Sequence, residues 1–465
     1  MTSKKHWQSK DATTVLKYGA LDAVATARVY SKLLREPEWA TPRTQKLYEV
    51  HTQIARIAAE MHDTGIWMDK ANLRYVAWGL EIEYDERAVK VEKLVGIKGF
   101  KVSPNALRAL IFKRHETKEI HRFSLEDPLD SALWSSEDTI SVDKGALLTL
   151  YVDPATPQDL REIIGLYWDA EHSWKQRSTF ITSELVAHAT GRDGRLRPGW
   201  NSAGTDTMRW SCTEPNVMNI PQWLRCIYGA PPGKVLIHAD KSQAELRMME
   251  AICGDQELKR RLDTGDVYTE DAKDWFGLPA TATKKDVKPE ARKAAKIIQL
   301  GSQYGAGLAT VYRQALVQDR TTKWATAANL FKCFLSTYTD TTRWWGEELD
   351  RVRKTGYSEG RLLHGRRYYP RDPPPTETNN YPCQRTVGEM MNLETVAVWQ
   401  QLKRHVPSAR IVIQLHDALD IEVPERHAGK VERILTDDMD CTYTIEGRTR
   451  RFPIELKRGT HWDEV

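Results

Sequence analysis

Residues 410–423 read RIVIQL, HDA, LDIEV, two β-rich halves around a tight connection, with Pro424 bounding the second. Such a segment folds as an antiparallel hairpin, and its tip carries His416 and Asp417. A second carboxylate stands in a comparable place far upstream. Residues 234–239 form a short apolar run ending at Asp240, followed by Ser242 and a helix-compatible stretch at 244–252. The pattern predicts strand, carboxylate, helix, with Ser242 as the N-cap. Two strand-end aspartates from distant segments suit a site for two Mg²⁺ ions, which take a few carboxylates and fill their octahedra with water and phosphate oxygens. Taken alone, an Asp after a strand is as readily a helix cap or turn former.

The bulk properties set the frame. A chain of 465 residues exceeds one ordinary core, so two to four subdomains are expected. Its 40% hydrophobic and 28% charged residues describe a globular protein. No apolar run approaches the length of a membrane span, and the start, MTSKKHWQSKD, lacks a signal-peptide core, so a cytoplasmic protein is expected. Six cysteines without a CxxC pair read as reduced thiols and not as disulfides or zinc ligands. The net charge of +4 says little, but basic residues bunch at 284–296 and 351–371. Local basic stripes fit a groove that tracks a nucleic-acid backbone, and equally fit solvated helix faces.

Apolar spacing predicts helices within 11–60, over 70–95 and 157–188, along 284–318, and over 324–356 with Gly356 as the stop. Residues 113–138 lack a period and read as a surface excursion, while 192–221 is rich in Gly, Asn, Ser and Thr. In the 284–318 helix, Arg292, Lys296, Leu300 and Tyr304 are four apart and share one face. Such a face can hold a triphosphate at its basic end and a base plus sugar at its apolar, aromatic end. An ordinary basic surface passing into core has the same pattern. Gly301 and Gly305 favour the first reading, because each glycine costs a helix about 1 kcal/mol against Ala and suggests close approach by a ligand or backbone.

Together these residues resemble the family A, polymerase I-type DNA polymerases of bacteria and phages. Asp240, Lys241, Ser242, Gln243, Ala244, Glu245, Leu246 and Arg247 are similar to that family's first palm motif. Arg292, Lys296, Leu300, Gly301, Tyr304 and Gly305 resemble its fingers helix, and Leu415, His416 and Asp417 its last palm motif. Thr207 to Ser211, Pro215 to Pro221, Gly365 to Arg367, Asn380 to Gln384 and the tail from Phe452 to Trp462 match in order. The resemblance spans about residues 61–465.

It implies an α+β, right-hand fold with an antiparallel-sheet palm and largely helical fingers and thumb. The implied bounds are palm entry 51–69, thumb 70–182, palm 183–253 and 376–465, and fingers 254–375, after an N-terminal 1–50. Carried over by residue, Asp240 and Asp417 bind the metals with help from the Lys241 carbonyl. Mg²⁺ is the implied ion and Mn²⁺ the substitute. Arg292 and Lys296 hold the incoming deoxynucleoside triphosphate, with Lys296 near the leaving pyrophosphate. Leu300, Tyr304 and Gln243 line the nucleotide, and Glu245 crowds the sugar 2′ position. Arg209, Asn216, Asn380, Gln384 and His416 contact primer–template DNA, through minor-groove acceptors that lie alike in all correct pairs. The polymerase core is expected to be monomeric.

The sequence departs from the family pattern at several points. Leu300 stands where Phe or Tyr is usual, which predicts strong rejection of dideoxynucleotides. Ala418 replaces a Glu, removing a third carboxylate. Lys241 replaces an aromatic residue, Tyr268 a frequent His, and Thr376 a common Arg. Upstream, Tyr18 and Asp22 resemble the last motif of a 3′–5′ exonuclease. Only 21 residues precede Asp22, so the expectation is a remnant without proofreading in this chain. A separate exonuclease subunit docking on 1–50 and a processivity factor at 113–138 are the partners this reading admits. Two rivals remain: a single-subunit RNA polymerase, disfavoured by Glu245, and a non-catalytic DNA-binding subunit, supported only by Ala418.

Overall fold

The computed structural model describes residues 12–35, 41–100, 103–116, 134–136, 139–140, 142, 144–153, 156–181, 193–319 and 322–465. The chain enters through two helices, α1 (Ala12–Leu33) and α2 (Pro42–Thr64). The Thr41 hydroxyl accepts from the Thr44 amide at 3.2 Å and Pro42 occupies the first turn, where its missing N–H costs nothing. Strand β1 (Ile66–Met68) leads into α3 (Lys70–Val95), capped by Asp69 and stopped by left-handed Gly96. Helix α4 (Pro104–Glu116), strands β2 (Trp134–Ser136) and β3 (Thr139–Ile140), and helices α5 (Lys144–Val152) and α6 (Gln158–Phe180) follow. Val91, Leu107, Ile111, Leu147, Ile163 and Tyr167 form a small core of their own here, and α3 packs lengthwise on α6.

The 192–221 stretch becomes short strands, β4 (Arg195–Leu196), β5 (Gly199–Asn201) and β6 (Ser211–Thr213), ahead of β7 (Tyr228–Gly229). Strand β1 lies between β4 and β7. Strand β8 (Lys234–Lys241) then crosses the largest core and delivers α7 (Ala244–Cys253). Next come α8 (Gln256–Thr264), α9 (Val267–Trp275), α10 (Pro289–Ser302), α11 (Leu308–Gln318), α12 (Trp324–Thr337) and α13 (Thr339–Thr355), stopped by Gly356 in the left-handed region. A small hairpin, β9 (Tyr357–Glu359) and β10 (Arg366–Tyr368), precedes the 31-residue helix α14 (Pro375–His405). The chain ends with β11 (Arg410–Leu415), β12 (Ala418–Pro424), α15 (Ala428–Met439), β13 (Cys441–Ile445), β14 (Arg448–Phe452) and β15 (Ile454–Gly459).

The central sheet has the order β11-β12-β8-β15, and every neighbouring pair is antiparallel. Its middle strands β8 and β12 are largely buried, and α15 packs on both. The 410–423 hairpin forms as expected. Four local expectations are corrected. Ser242 does not cap α7; Gln243, with φ +55, precedes the helix and no side chain caps it. Asp240 lies inside β8, one residue before its end. The 284–318 helix is two helices broken at 303–307, so Tyr304 lies past the end of α10. The period continued across the break because α11 packs back on α10. Both glycines sit close against other parts of the protein. A Cβ on Gly301 would sit 2.7 Å from Gln314 Oε1, and Gly305 takes φ +81. Of 113–138, the first four residues belong to α4 and 117–133 lie outside the described residues, as do 182–188 of the 157–188 helix.

Candidate active site

Strand pairing assembles the carboxylates. Ala418, directly after Asp417, lies opposite Asp240 in the β12–β8 register, and the Lys241 amide donates to the Asp417 carbonyl at 3.1 Å. The two-residue link of the hairpin puts His416 at φ +57, a region that non-glycine residues enter at a cost. Burial, and after it the charge of Asp240, pushes the Asp417 carboxyl up to about 7. Burial likewise raises Asp240, with Glu455 and Asp420 adding to it against the opposing pull of His238. Among the described residues neither side chain has an ion-pair partner, and no cluster of three or more His, Cys, Asp or Glu could hold a metal. Two carboxylates without ion-pair partners among the described residues, both raised above their ordinary values, are a fit for divalent cations that prefer oxygen. Ala418 contributes no third.

A second cluster surrounds Glu245 in the first turn of α7. Its carboxylate accepts from Tyr304 Oη at 2.5 Å, from Gln303 Nε2 at 3.1 Å and from Arg209. Burial works against the Arg209 charge, but Glu245 outweighs it and holds the guanidinium above its ordinary value. Burial first, then the neighbouring Cys383 and Glu245, raise the Tyr304 phenol far out of the neutral range, so it remains a donor. Desolvation and the Arg209 charge lower His416, which keeps its ring neutral.

On α10, Arg292 donates from Nε and Nη2 to Asp266 at 2.7 and 3.1 Å. The ring of Tyr268 lies under both cations, 5.5 Å from the Arg292 guanidinium and 5.6 Å from Lys296 Nζ. Lys296 and Leu300 are exposed on the same face. Gln243 bridges elsewhere: its amide donates to Gly265 O at 2.7 Å and accepts from the Val267 amide at 3.1 Å, which commits it to the loop before α9. Asn216 caps its own short turn through Met218 N at 3.1 Å. Asn380 and Gln384 stand one turn apart on α14, and the Asn380 Oδ1 is buried with no partner among the described residues.

Sequence reasoning missed Asp266, Gln303, Cys383 and Glu394. Asp266 carried a signal, since Asp-x-x-Thr opens a helix and the Thr269 hydroxyl donates to it at 2.7 Å. Gln303 adjoins Tyr304 and is visible only once the helix break is known. Cys383 and Glu394 look like ordinary members of a long helix. Tyr18 lies in α1, and its side chain is outside the described residues, while Asp22 is exposed.

Known proteins are similar to this chain in sequence and in fold. The family model described as DNA polymerase family A matches residues 72–464. The chain is 26% identical over 453 residues to the thermostable DNA polymerase I of Thermus thermophilus, covering 94% of this chain and 50% of that protein. It is 28% identical over 471 residues to DNA polymerase I of Chloroflexus aurantiacus, covering 96% of this chain and 46% of that protein. The chain thus spans about half the length of these relatives. The POL domain of Pol1 from M. smegmatis, solved in complex with DNA primer-template and dNTP, shares the fold at a TM-score of 0.72 and 22% identity, over 90% of this chain and 73% of that one. No helix among the described residues is long and apolar enough to cross a membrane. With the family match running over residues 72–464, and so through Asp240, Arg292, Lys296 and Asp417, the chain belongs to DNA polymerase family A.

Proposed function

We propose that this chain extends a primer on a DNA template with deoxynucleoside triphosphates. The observation that carries the reading is the juxtaposition of Asp240 and Asp417, two raised, unpaired carboxylates, one strand pair apart. Asp240, Asp417 and the Lys241 carbonyl hold two Mg²⁺ ions, with Mn²⁺ able to substitute. When bound, the ions stabilise charge on the attacking and leaving oxygens of an in-line phosphoryl transfer. Arg292 and Lys296 grip the triphosphate, the first as a planar fork and the second as a point charge beside the departing pyrophosphate. Leu300 and Tyr304 face base and sugar, and Glu245 excludes a 2′-hydroxyl. Arg209, Asn216, Asn380, Gln384 and His416 contact primer and template, where His416, kept neutral, adds no charge beside the Asp pair. Gln243 supports the nucleotide site through the Gly265–Val267 backbone.

In this reading the central sheet is the palm, 254–375 the fingers and 70–182 the thumb. Primer extension in Mg²⁺ with wild type and Asp417→Ala, using separate dNTP and rNTP pools, tests it. Extension with dNTPs only, lost in the variant, is expected. Equal extension by the variant refutes the metal assignment, and equal use of rNTPs refutes the sugar assignment.

A further inference from the structure

Strand geometry sends Asp240 and Lys241 to opposite faces of β8. The Lys241 side chain is fully buried, 0% exposed, and its partner Glu394 on α14 is 2% exposed. The ammonium has three N–H groups and three acceptors: Glu394 Oε1 at 2.8 Å, Phe452 O at 3.3 Å and Met439 O. Met439 ends α15 and Phe452 ends β14, so one ammonium ties β8 to three other elements. Tyr443 of β13 donates to the same Glu394 oxygen at 3.1 Å. The other oxygen of Glu394 is buried without a partner among the described residues. A charge in such a place is not there for net stability, since a well-packed apolar pair does as well, but removing one partner strands the other in a dry core.

What the pair does fix is position. The Lys241 amide is the atom that bonds the Asp417 carbonyl, so the residue anchored below the sheet is also the one that joins the two carboxylate segments above it. A slip of one residue in β8 would turn Asp240 to the buried face and Lys241 to the site. We propose that the Lys241–Glu394 pair is a positioning device that holds Asp240 at the height and register at which it shares metal ions with Asp417. The inference rests on the metal reading above. Glu394 touches no substrate; it acts through Lys241.

The test is Mn²⁺ binding, followed by electron paramagnetic resonance, to the full chain with template, dNTP and a synthetic primer lacking its 3′-hydroxyl. Glu394→Gln should weaken Mn²⁺ binding about tenfold, as supporting residues around metal ligands do, while nucleotide affinity stays within about twofold. Amide exchange at Lys241 should quicken in the same variant. The double variant Lys241→Met, Glu394→Met removes the pair without stranding a lone charge in the core, and should bind Mn²⁺ as weakly as Glu394→Gln. Wild-type Mn²⁺ affinity in a folded Glu394→Gln overturns the proposal. If that single variant does not fold, the double decides: a folded double with weakened Mn²⁺ binding supports it, and a folded double with wild-type affinity overturns it. Asp417→Ala is the control for the underlying reading. Should it bind Mn²⁺ like wild type, the metal assignment itself fails, whatever Glu394 does.

Discussion

Tyr304 Oη donates to the Glu245 carboxylate at 2.5 Å, joining the residue just past the end of α10 to the first turn of α7. The bond spans the gap between the helix that carries Arg292 and Lys296 and the strand that carries Asp240. It fixes the carboxylate that is proposed to meet the nucleotide sugar, and Arg209 and Gln303 complete its coordination. Glu245→Ala removes the acceptor and opens the space, so ribonucleotide incorporation should rise relative to deoxynucleotide. A hydrogen bond to a charged group is worth roughly 1.5–3 kcal/mol, so Tyr304→Phe should loosen the same discrimination by about tenfold. Competition between dNTP and rNTP in single-turnover extension reads both variants, and unchanged ratios would remove Glu245 from the sugar site.

Leu300 presents an aliphatic chain, 37% exposed, on the face shared by Arg292 and Lys296. No hydroxyl there can replace the contact of a missing 3′-OH. Wild type should therefore reject dideoxynucleotides, and Leu300→Tyr should raise their use by about tenfold, the size of one hydrogen bond. Equal efficiencies for dideoxy and deoxy substrates in the wild type would contradict this.

Arg292 is held ready by Asp266 and Tyr268. Arg292→Ala should raise the dNTP KM by about ten- to a hundredfold, since a charge-assisted bidentate grip is lost from the ground state. Arg292→Lys should recover little of it, because an ammonium cannot form the fork. Steady-state kinetics at saturating primer–template separates KM from kcat.

Asp240→Asn and Asp417→Asn keep shape and remove charge. Each should lower kcat by about 10² or more, the cost of one preorganised electrostatic group, with the melting temperature no lower than wild type. Stability should hold because each change relieves the repulsion that Asp240 exerts on Asp417, both of them half-buried.

A cap supplies the pH test. Burial tends to raise Asp69, but its bonds from the Asn72 and Ala71 amides and from His461 prevail and hold it below the ordinary carboxylate value. A depressed carboxyl stabilises the fold above the unfolded value of about 4, and loses that contribution as pH falls through the folded one. Asp69→Ala should cost about 1 kcal/mol at pH 7, and the gap to wild type should close between about pH 4 and lower values. Urea unfolding across that range reads it; a gap independent of pH would show that the cap does not act through its charge.

The hairpin at 410–423 and the stop at Gly356 were legible in the chain because each depends on neighbours a few residues apart, while the α+β class followed from the resemblance of the ordered motifs to a known family. The helix break at 303–307 was not, since Tyr304 keeps the four-residue spacing while the backbone leaves the helix. Gln243 was legible as a candidate site residue, but only folding brings the loop at 265–267 to its amide. Lys241 looked like a departure from pattern, and its meaning lies 153 residues away in Glu394. Local sequence determined which residues could do chemistry and which elements would carry them. Tertiary structure alone decided which two aspartates share a strand pair and what each buried charge faces, because electrostatics and packing depend on distance in space and not along the chain.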